Sequence, residues 1–325
     1  MKAAVVSSFG TPPRCQEFPT PTPRGEAELL VDVLAAGLHP RVRSQADGSH
    51  YTSTEELPLV PGIDGVGRSA DGRLRYFILP DTTLGAMAEQ TIIDRRRSIE
   101  LPDDADPIAV AAAMNPAMSS WVALRQRVEF HAGQKVLILG ATGNAGEMAV
   151  QIAKMFGAVE IVAAGRDAER LAGLAELGAT RTVRLAGDAE SAERLGEAAA
   201  DVDVVIDYIW GDASAAAMTA VITRREDRGK ALTWIQIGSI GGPTAAIPSA
   251  ALRAARLSIV GSGQGSVSTR AILAELPDLA RTILSGAFRI QARTMPLEDV
   301  EKAWAEAGRS RERIVIVPQS SGQPR

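Results

Sequence analysis

The pattern of apolar and polar positions changes character near residue 108. Before it, short apolar runs are separated by Pro- and Gly-rich segments. Residues 27–38 (AELLVDVLAAGL) and 76–79 (YFIL) predict strands, and residues 19–28 (PTPTPRGEAE) predict a loop. This first part of the chain is therefore predicted to form an irregular, mostly antiparallel β domain.

Beyond residue 108, helical and strand-like patterns alternate. An alanine-rich helix is predicted over 108–128, and KVLILG (135–140) is a continuous apolar run, typical of a strand buried on both faces. Residues 145–158 and 168–179 have helical spacing, and EIVAAG (160–165) between them predicts a strand.

The alternation continues to the end of this second region. VDVVIDYI (202–209), ALTWIQIGS (231–239) and RLSIVGSG (256–263) predict further strands. Strands and helices that alternate in this way predict an α/β fold, a doubly wound parallel sheet. The tail over 294–318 is predicted to hold one helix and a terminal strand that need not belong to that sheet.

Composition and charge narrow the classes of function. A length of 325 residues suggests about two domains, and 46% of the residues are hydrophobic, enough for a sizeable core. The net charge is −4, and the densest cationic cluster, DRRRS (94–98), has no aromatic residues among it, which argues against nucleic acid as a partner. A small molecule is the expected ligand.

Cys15 is the single cysteine, which excludes an internal disulfide and a cysteine-rich zinc site. The N-terminus, MKAAVVSSFG, lacks the apolar core and cleavage site of a signal peptide. No run approaches the 18 apolar residues typical of a membrane span. We therefore expect a cytoplasmic protein that does not enter the membrane.

The segment LGATGNAG (139–146) follows a predicted strand and begins a predicted helix, which is the context of a dinucleotide-binding loop. Gly143 would let the backbone approach the phosphates, and Gly146 would let the helix pack closely on the strand. Ala141 replaces the glycine of the tight turn, which is tolerable if its φ stays negative.

The end of the next strand bears on the choice of cofactor. In AAGRDAER (163–170), Gly165 makes room and Arg166 follows, where NAD-binding folds usually carry an acidic residue. A guanidinium suits a 2′-phosphate, and Arg170 lies one helical turn later. Asp167 is interpreted as a helix N-cap. The sequence therefore predicts NADPH as the cofactor.

Taken in order, several segments resemble the medium-chain dehydrogenase/reductase superfamily, in particular its zinc-independent quinone oxidoreductases. The segments are MKAAVV (1–6), VLAAGLHPRVRSQADGSHY (33–51), LPLVPGIDGVG (57–67), LGAMAEQTII (84–93), MSSWVAL (118–124) and VQIAKMFGA (150–158). The resemblance covers nearly the whole chain. It implies a GroES-like substrate domain over 1–118, a Rossmann cofactor domain over 119–262 and a C-terminal return over 263–325, with the substrate in the cleft between the domains.

The residues argue against a catalytic zinc. Zinc alcohol dehydrogenases of this superfamily carry a GHE motif, and here Ile63 stands in place of its histidine. Cys15 lies too early to be the catalytic cysteine, and His39, His50 and His131 are not spaced as a pair of ligands. We expect no metal.

Without a metal, hydride transfer requires an electrophilic acceptor and hydrogen-bond donors to its oxygen. The resemblance assigns these roles to Tyr51, which matches the family's tyrosine, and to His39, which stands where the family has asparagine. His39 is either a proton donor or a residue that only positions the cofactor. His50 is expected to be exposed and without a role.

Further cofactor contacts are expected around the glycine loop and at later strand ends. The resemblance places Ser119 near the nicotinamide, and it places the backbone of Ser262 and Gly263 opposite the nicotinamide amide. Gly238 and Ser239 are expected beside the nicotinamide because they follow the carboxyl end of a predicted strand. The complete set of expected cofactor-binding residues is Ser119, Gly143, Asn144, Ala145, Gly146, Gly165, Arg166, Arg170, Gly238, Ser239, Ser262 and Gly263.

The leading hypothesis is an NADPH-dependent, zinc-independent reductase of quinones or similar activated carbonyl compounds. A reductase of carbon–carbon double bonds in enones or enoyl thioesters is the enzymatic alternative, and Arg41 and Arg43 are candidates for the basic groove that a thioester arm requires. A non-catalytic NADPH-binding sensor or structural protein is the alternative of another class. The strand at 256–261 resembles the family's dimer edge, so a homodimer is expected.

Overall fold

The structure is a computed structural model that describes residues 1–308 and 310–318. Its strands are β1 (Lys2–Val5), β2 (Arg14–Glu17), β3 (Glu28–Leu38), β4 (Asp64–Ser69), β5 (Leu74–Ile78), β6 (Gln90–Asp94), β7 (Ser98–Glu100), β8 (Lys135–Leu139), β9 (Glu160–Gly165), β10 (Arg181–Arg184), β11 (Val204–Asp207), β12 (Leu232–Gln236), β13 (Leu257–Gly261), β14 (Ala292–Pro296) and β15 (Arg313–Val317). Its α-helices are α1 (Pro40–Ala46), α2 (Pro107–Val122), α3 (Asn144–Met155), α4 (Ala168–Leu177), α5 (Ala189–Ala198), α6 (Gly211–Arg224), α7 (Ser249–Ala254), α8 (Thr269–Leu284) and α9 (Val300–Ala307).

The chain divides into two compact units. The first contains residues 1–115 and the described residues from 276 onward, and the second contains residues 116–275. The second border falls inside α8. The domain limits at residues 118 and 262 given above stay a prediction, and the part of the C-terminal return over 319–325 lies outside the described residues.

The first unit is built around the long strand β3. Its main sheet has the order β14-β15-β3-β4-β5-β7, and β6 also pairs with β3. The pairs among β3 to β7 are antiparallel, and the register between β3 and β4 shifts once, between Val33 and Ala35. Alternate side chains such as Val31, Val33 and Phe77 form the buried core of this unit. The predicted antiparallel β domain is confirmed.

The C-terminal strand joins the sheet of the first unit. β15 pairs antiparallel with β3 and parallel with β14. Its first residue, Arg313, is buried and donates a hydrogen bond to the carbonyl of Leu38 at 3.0 Å. The two residues are 275 positions apart, so the tail completes a sheet that begins near the other end of the chain.

The second unit is a parallel sheet with the strand order β10-β9-β8-β11-β12-β13. All of its strand pairs are parallel. The chain reverses its direction of travel across the sheet between the neighbouring strands β8 and β11. That order is the doubly wound order of dinucleotide-binding folds, whose ligands bind at this reversal. Leu137, Val162 and Trp234 are fully buried in its core, so the predicted α/β fold is confirmed.

Several elements are additional to those read from the sequence. β10, with the sequence RTVR, buries one residue of four, and α5 is a polar surface helix. α8 precedes the tail, and β14 overlaps its beginning, in addition to the predicted helix and strand. A four-residue strand such as β10 is too short to show a periodicity of its own. α5 and α8 do have the apolar spacing of amphipathic helices, so the sequence contained a signal for both.

One helix in the described part of the chain is long and apolar enough to cross a membrane by length and composition. It runs from Pro107 to Arg127, including a π-helical end at Ala123–Arg127. Of its most apolar window, 67% is buried inside the protein. A mostly buried helix of this kind is typical of a protein core, so it is weak evidence for a membrane span.

Candidate active site

A glycine turn joins β8 to α3. Gly140 adopts a φ of +85°, which favours glycine, and Ala141 lies outside the left-handed region and is fully buried. A Cβ on Gly146 would overlap the carbonyl oxygen of Gly140 and lie 2.6 Å from the Cα of Ala141. Gly146 is therefore required for the close packing of the helix on the strand.

The amino end of α3 is open. Gly143 precedes the first turn, which contains Asn144, Ala145 and Gly146, and no side chain of the described residues caps this helix end. Within 4 Å, a Cβ on Gly143 would meet one described atom, the oxygen of Gly140 at 3.5 Å. Uncapped N–H groups at the start of a helix, with room for a ligand to approach, suit a pyrophosphate.

The end of β9 lies against the same turn. A Cβ on Gly165 would lie 2.7 Å from the side chain of Thr142, so this position requires glycine. Arg166 is exposed and makes no hydrogen bond or ion pair with the described residues. Asp167 accepts hydrogen bonds from the backbone N–H groups of the first turn of α4, which confirms the predicted N-cap.

Arg170, the second arginine expected to reach a 2′-phosphate, already has a partner. Its Nε and a terminal nitrogen each lie 2.9 Å from Oε1 of Glu147, in the first turn of α3. Burial raises the pKa of Glu147, and the nearby guanidinium opposes that shift. Of the two arginines, Arg166 is thus the one that is open to a phosphate.

The turn after β11 was not predicted as part of the site. The buried carboxyl group of Asp207 organises it: Oδ1 accepts hydrogen bonds from the backbone N–H groups of Ile209 and Trp210, at 2.8 and 3.0 Å. Oδ2 accepts one from Nε1 of Trp234 at 2.9 Å. Trp210 has a φ of +54°, and among the described residues it is the one non-glycine residue with a positive φ.

Tyr208, in this turn, forms a hydrogen-bonded pair with Ser119. The two hydroxyl oxygens are 2.8 Å apart, and the Ser119 hydroxyl donates to the carbonyl of Pro116, also at 2.8 Å. Burial raises the pKa of Tyr208 to about 12. The sequence contains one signal for Tyr208, since a polar aromatic residue directly follows a predicted central strand, where a ligand is expected.

The remaining expected cofactor residues follow β12 and β13. Gly238 packs on the turn after β11, since a Cβ there would lie 2.6 Å from the carbonyl oxygen of Tyr208. Ser239 is exposed, Ser262 is partly exposed and Gly263 is exposed. Because all strands of this sheet are parallel, these positions lie at the same carboxyl edge as the glycine turn.

His39, in the first unit, is 2% exposed and begins α1. Its Nε2 lies 3.0 Å from Oδ1 of Asp64, and its Nδ1 is buried with no hydrogen-bond partner among the described residues. Burial lowers the pKa of His39, although the hydrogen bond to Asp64 opposes this. The hydrogen bonds assign the neutral imidazole a proton on Nε2, which leaves a lone pair on Nδ1.

Asp64 is the centre of a buried polar group. Its Oδ2 accepts a hydrogen bond of 2.8 Å from the hydroxyl of Tyr76, and burial raises the pKa of that tyrosine well above its ordinary value. Burial lowers the pKa of Arg313 to about 10, and the charge of Asp64 opposes the shift. The orientation of the His39 ring is thus fixed by a carboxylate that is itself held from its other side.

Tyr51 is 71% exposed, and its ring stacks on His50 with the centroids 4.2 Å apart. His50 is half-buried, and its Nδ1 lies 2.9 Å from Oγ1 of Thr52, which also bonds to Arg41 and Asp81. The expectation that His50 is exposed and without a role was therefore wrong as to its exposure. Tyr51 and His39, the two catalytic candidates, have separate sets of partners.

The residues do not fit a catalytic zinc. Ile63, at the position of the histidine ligand, is buried in the core of the first unit. Cys15 lies on β2, opposite Ala4 of β1. Among the described residues, no group of three or more His, Cys, Asp or Glu side chains is placed to hold a metal ion.

The chain is similar to known oxidoreductases. A family model described as zinc-binding dehydrogenase matches residues 145–281. Over 98% of its length, and 100% of the relative's, the chain is 29% identical to a probable NADPH-dependent quinone reductase of Emericella nidulans. It is 28% identical to a trans-enoyl reductase of Aspergillus terreus, over 41% of this chain and 42% of that protein.

The fold agrees with these sequence relatives. The quinone oxidoreductase of Thermus thermophilus, whose reported structures include a complex with NADPH, aligns with a TM-score of 0.80 at 25% identity. The alignment covers 98% of this chain and 100% of that one. Both units of the fold are therefore shared with that protein.

Proposed function

Because the chain is a quinone-oxidoreductase-like member of the medium-chain dehydrogenase/reductase superfamily, we propose that it is an NADPH-dependent reductase of quinones or similar activated carbonyl compounds. The observation that carries the proposal is the open glycine turn at the strand reversal, with an uncapped helix end at Gly143 and an exposed Arg166 beside it. The whole-length similarity to a quinone reductase supports the choice of acceptor.

The residues of the second unit have distinct roles in this proposal. The N–H groups of Asn144, Ala145 and Gly146 bind the pyrophosphate beside Gly143, whose own N–H donates to the carbonyl of Gly140 at 3.1 Å. Arg166 binds the 2′-phosphate through charge-assisted hydrogen bonds. Gly238, Ser239, Ser262 and Gly263 supply backbone at the same edge of the sheet. NADPH, when bound, supplies the hydride, and the protein supplies binding and orientation.

Tyr51 and His39 are proposed as residues of the first unit that act on the reaction. The Tyr51 hydroxyl is a donor for the oxygen on which negative charge develops. For His39, the bond from Nε2 to Asp64 and the lowered pKa favour the positioning role, since a neutral ring in this tautomer accepts at Nδ1. We expect His39→Asn to leave the pH profile of kcat unchanged between pH 6 and 8. A fall of kcat with rising pH in the wild type that is absent from His39→Asn would instead establish proton donation.

The proposed function is tested by NADPH oxidation with a benzoquinone, a naphthoquinone, an enone and an enoyl thioester, each repeated with NADH. Turnover of the quinones with NADPH supports the proposal. Arg166→Ala should raise KM for NADPH about tenfold and leave KM for NADH unchanged, as expected for the loss of a charge-assisted bond. Arg228→Ala, an exposed arginine that precedes β12, is the matched control and should change neither value.

Double-bond reduction is the second candidate function, favoured by the partial similarity to a trans-enoyl reductase. A thioester with a phosphate-bearing arm is the less favoured substrate. Arg41 is bonded to Asp81 and Thr52 through one terminal nitrogen, and Arg43 donates to the carbonyl of Trp304, so each guanidinium group already has a partner. Turnover with the enone alone would select this candidate, and tight NADPH binding without any turnover would indicate a non-catalytic binding protein.

We propose that the enzyme works without zinc, because Ile63 takes the place of the histidine ligand. The purified protein should contain less than about one tenth of an equivalent of zinc per chain, and chelation with EDTA should leave its activity intact. Stoichiometric zinc, with activity that EDTA removes and zinc restores, would contradict this.

We further propose a cytoplasmic homodimer. β13 lies at the edge of the parallel sheet and exposes Ile259, and unpaired edge strands are templates for pairing. Light scattering should give twice the mass of the chain, and Ile259→Lys should shift the protein toward the monomer, with Val159→Lys as a control at an exposed apolar residue outside this strand.

A further inference from the structure

Tyr208 occupies the point where the strand order reverses. β8 and β11 are neighbours in the sheet, and in doubly wound sheets ligands bind in the crevice at the carboxyl ends of such a pair. A Cβ on Gly140 would lie 3.3 Å from the Cβ of Tyr208, so the tyrosine borders the glycine turn itself.

The backbone of Tyr208 is held from both sides. Asp207, which precedes it, accepts hydrogen bonds from the N–H groups of Ile209 and Trp210, which follow it. A Cβ on Gly238 would lie 2.6 Å from the Tyr208 carbonyl, so this glycine packs directly on the turn. The positive φ of Trp210 is a strained conformation that persists because these contacts impose it.

The direction of the hydrogen bonds at Ser119 can be assigned. The carbonyl of Pro116 is an acceptor only, so the hydroxyl hydrogen of Ser119 points to it. The hydroxyl hydrogen of Tyr208 then points to Oγ of Ser119. The hydroxyl of Ser120 is a second hydrogen-bond partner of Tyr208. Because the hydrogens of Ser119 and Tyr208 are both used, the pair has only oxygen lone pairs left for a further partner, and it acts as an acceptor.

We propose that the phenolic oxygen of Tyr208 accepts a hydrogen bond from an N–H or O–H group of the nicotinamide nucleoside, and that Ser119 orients that oxygen. The inference rests on the proposed NADPH function. Tyr208 is then a cofactor-contacting residue that fixes the nicotinamide ring for hydride transfer, and Ser119 is a positioning residue that acts through it. A phenol is protonated at neutral pH, so Tyr208 keeps the proton that it donates to Ser119, and burial raises its pKa further, to about 12.

The test compares binding of NADPH with binding of 2′,5′-ADP, a fragment that lacks the nicotinamide nucleoside. Tyr208→Phe should weaken NADPH binding about tenfold, the loss of one hydrogen bond, and leave the Kd for 2′,5′-ADP unchanged. Ser119→Ala should weaken NADPH binding in the same direction, and Ser119→Thr, which keeps the hydroxyl, should restore it. Thermal denaturation establishes that each variant is folded.

The donor group on the cofactor is identified with the NADPH analogue whose carboxamide is replaced by an acetyl group. If Tyr208→Phe no longer weakens binding of this analogue, the partner is the carboxamide N–H. If the tenfold loss persists, the partner is a ribose hydroxyl. Either result supports the proposal.

Two results would overturn it. Unchanged NADPH binding in both Tyr208→Phe and Ser119→Ala would show that the pair makes no contact with the cofactor. Equal weakening of NADPH and 2′,5′-ADP would show that Tyr208 only supports the fold of the edge. If the wild-type protein binds neither NADPH nor 2′,5′-ADP, the proposed function itself is wrong. That outcome differs from the two results that would overturn the role of Tyr208.

Discussion

In the glycine turn before α3, Gly146 is needed for packing, whereas Gly143 is needed for access to the cofactor. A Cβ on Gly146 would overlap the carbonyl of Gly140, whereas a Cβ on Gly143 would have open space around it. Gly146→Ala should therefore lower the free energy of unfolding by about 1–3 kcal/mol through overpacking. Gly143→Ala should leave it within about 0.5 kcal/mol and weaken NADPH binding instead.

Urea unfolding and fluorescence titration with NADPH measure the two effects separately. The two alanine variants are each other's controls, because they add the same methyl group at positions three residues apart in one turn. Loss of stability in Gly143→Ala, with intact NADPH binding, would contradict the proposed role of this glycine.

Trp210 gives a second prediction at the residue scale. Its φ of +54° with a ψ of −166° lies in a region that is essentially restricted to glycine, and it costs a residue with a Cβ about 1–3 kcal/mol. Removing the indole loses packing in both Trp210→Gly and Trp210→Ala, but only glycine relieves the backbone. Trp210→Gly should thus be the more stable of the two by about 1 kcal/mol in urea unfolding. At Ala216, inside α6, the same change to glycine should be destabilising instead.

At the scale of elements, Arg225 connects the end of α6 to the strands beside it. Its buried guanidinium donates to four carbonyl groups that precede β11 and β12, those of Ala200, Val202, Lys230 and Ala231. Arg225→Lys provides one ammonium in place of a planar fork and cannot reach all four. It should lower the free energy of unfolding by about 2 kcal/mol.

Chemical denaturation of Arg225→Lys beside Arg228→Lys checks this prediction. Arg228 lies three residues later in the same loop and is exposed, so its replacement should cost less than about 0.5 kcal/mol. If the two variants have similar free energies of unfolding, the four hydrogen bonds of Arg225 do not stabilise the folded state more than hydrogen bonds to water stabilise the unfolded state.

The elements also show where sequence patterns stop being informative. The strands β8, β9 and β11 are continuous apolar runs because helices cover both faces of the sheet, so they were predicted. β10 lies at the sheet edge with one buried residue, and among the described strands β14 pairs only with β15. Edge strands with mixed polarity have no periodicity of their own, and their partner decides whether they form.

At the scale of the whole molecule, two histidines predict how stability depends on pH. Burial lowers the pKa of His39, and it lowers the pKa of His50 to about 4, while unfolded imidazoles titrate near about 6.5. Below that value the unfolded chain binds protons that the folded chain does not. Stability should therefore fall as the pH drops from about 6.5 toward about 4.

Thermal unfolding at a series of pH values measures this effect. Between pH 6.5 and 4.5, the Tm of His50→Gln should fall less than the Tm of the wild type, because one of the two buried histidines is gone. His131→Gln, at an exposed histidine, is the control and should follow the wild type. If the Tm of His50→Gln depends on pH as strongly as the Tm of the wild type, His50 does not contribute to the loss of stability.

The sequence by itself determined the two fold classes, the glycine turn and the Asp167 cap. These features depend on local patterns: apolar runs, glycine at positions where a Cβ does not fit, and the chemical type of a single residue. Periodicity and motif spacing record them directly in neighbouring positions of the chain.

Only the tertiary structure showed that Tyr208 pairs with Ser119, that Arg170 is engaged by Glu147, and that Asp64 holds His39. Each of these contacts joins residues far apart in the chain, and each changes what a side chain offers: an acceptor pair, an occupied guanidinium, a neutral imidazole with a free lone pair. Hydrogen-bond partners and burial are set by which elements pack together, and that information is absent from any single stretch of sequence.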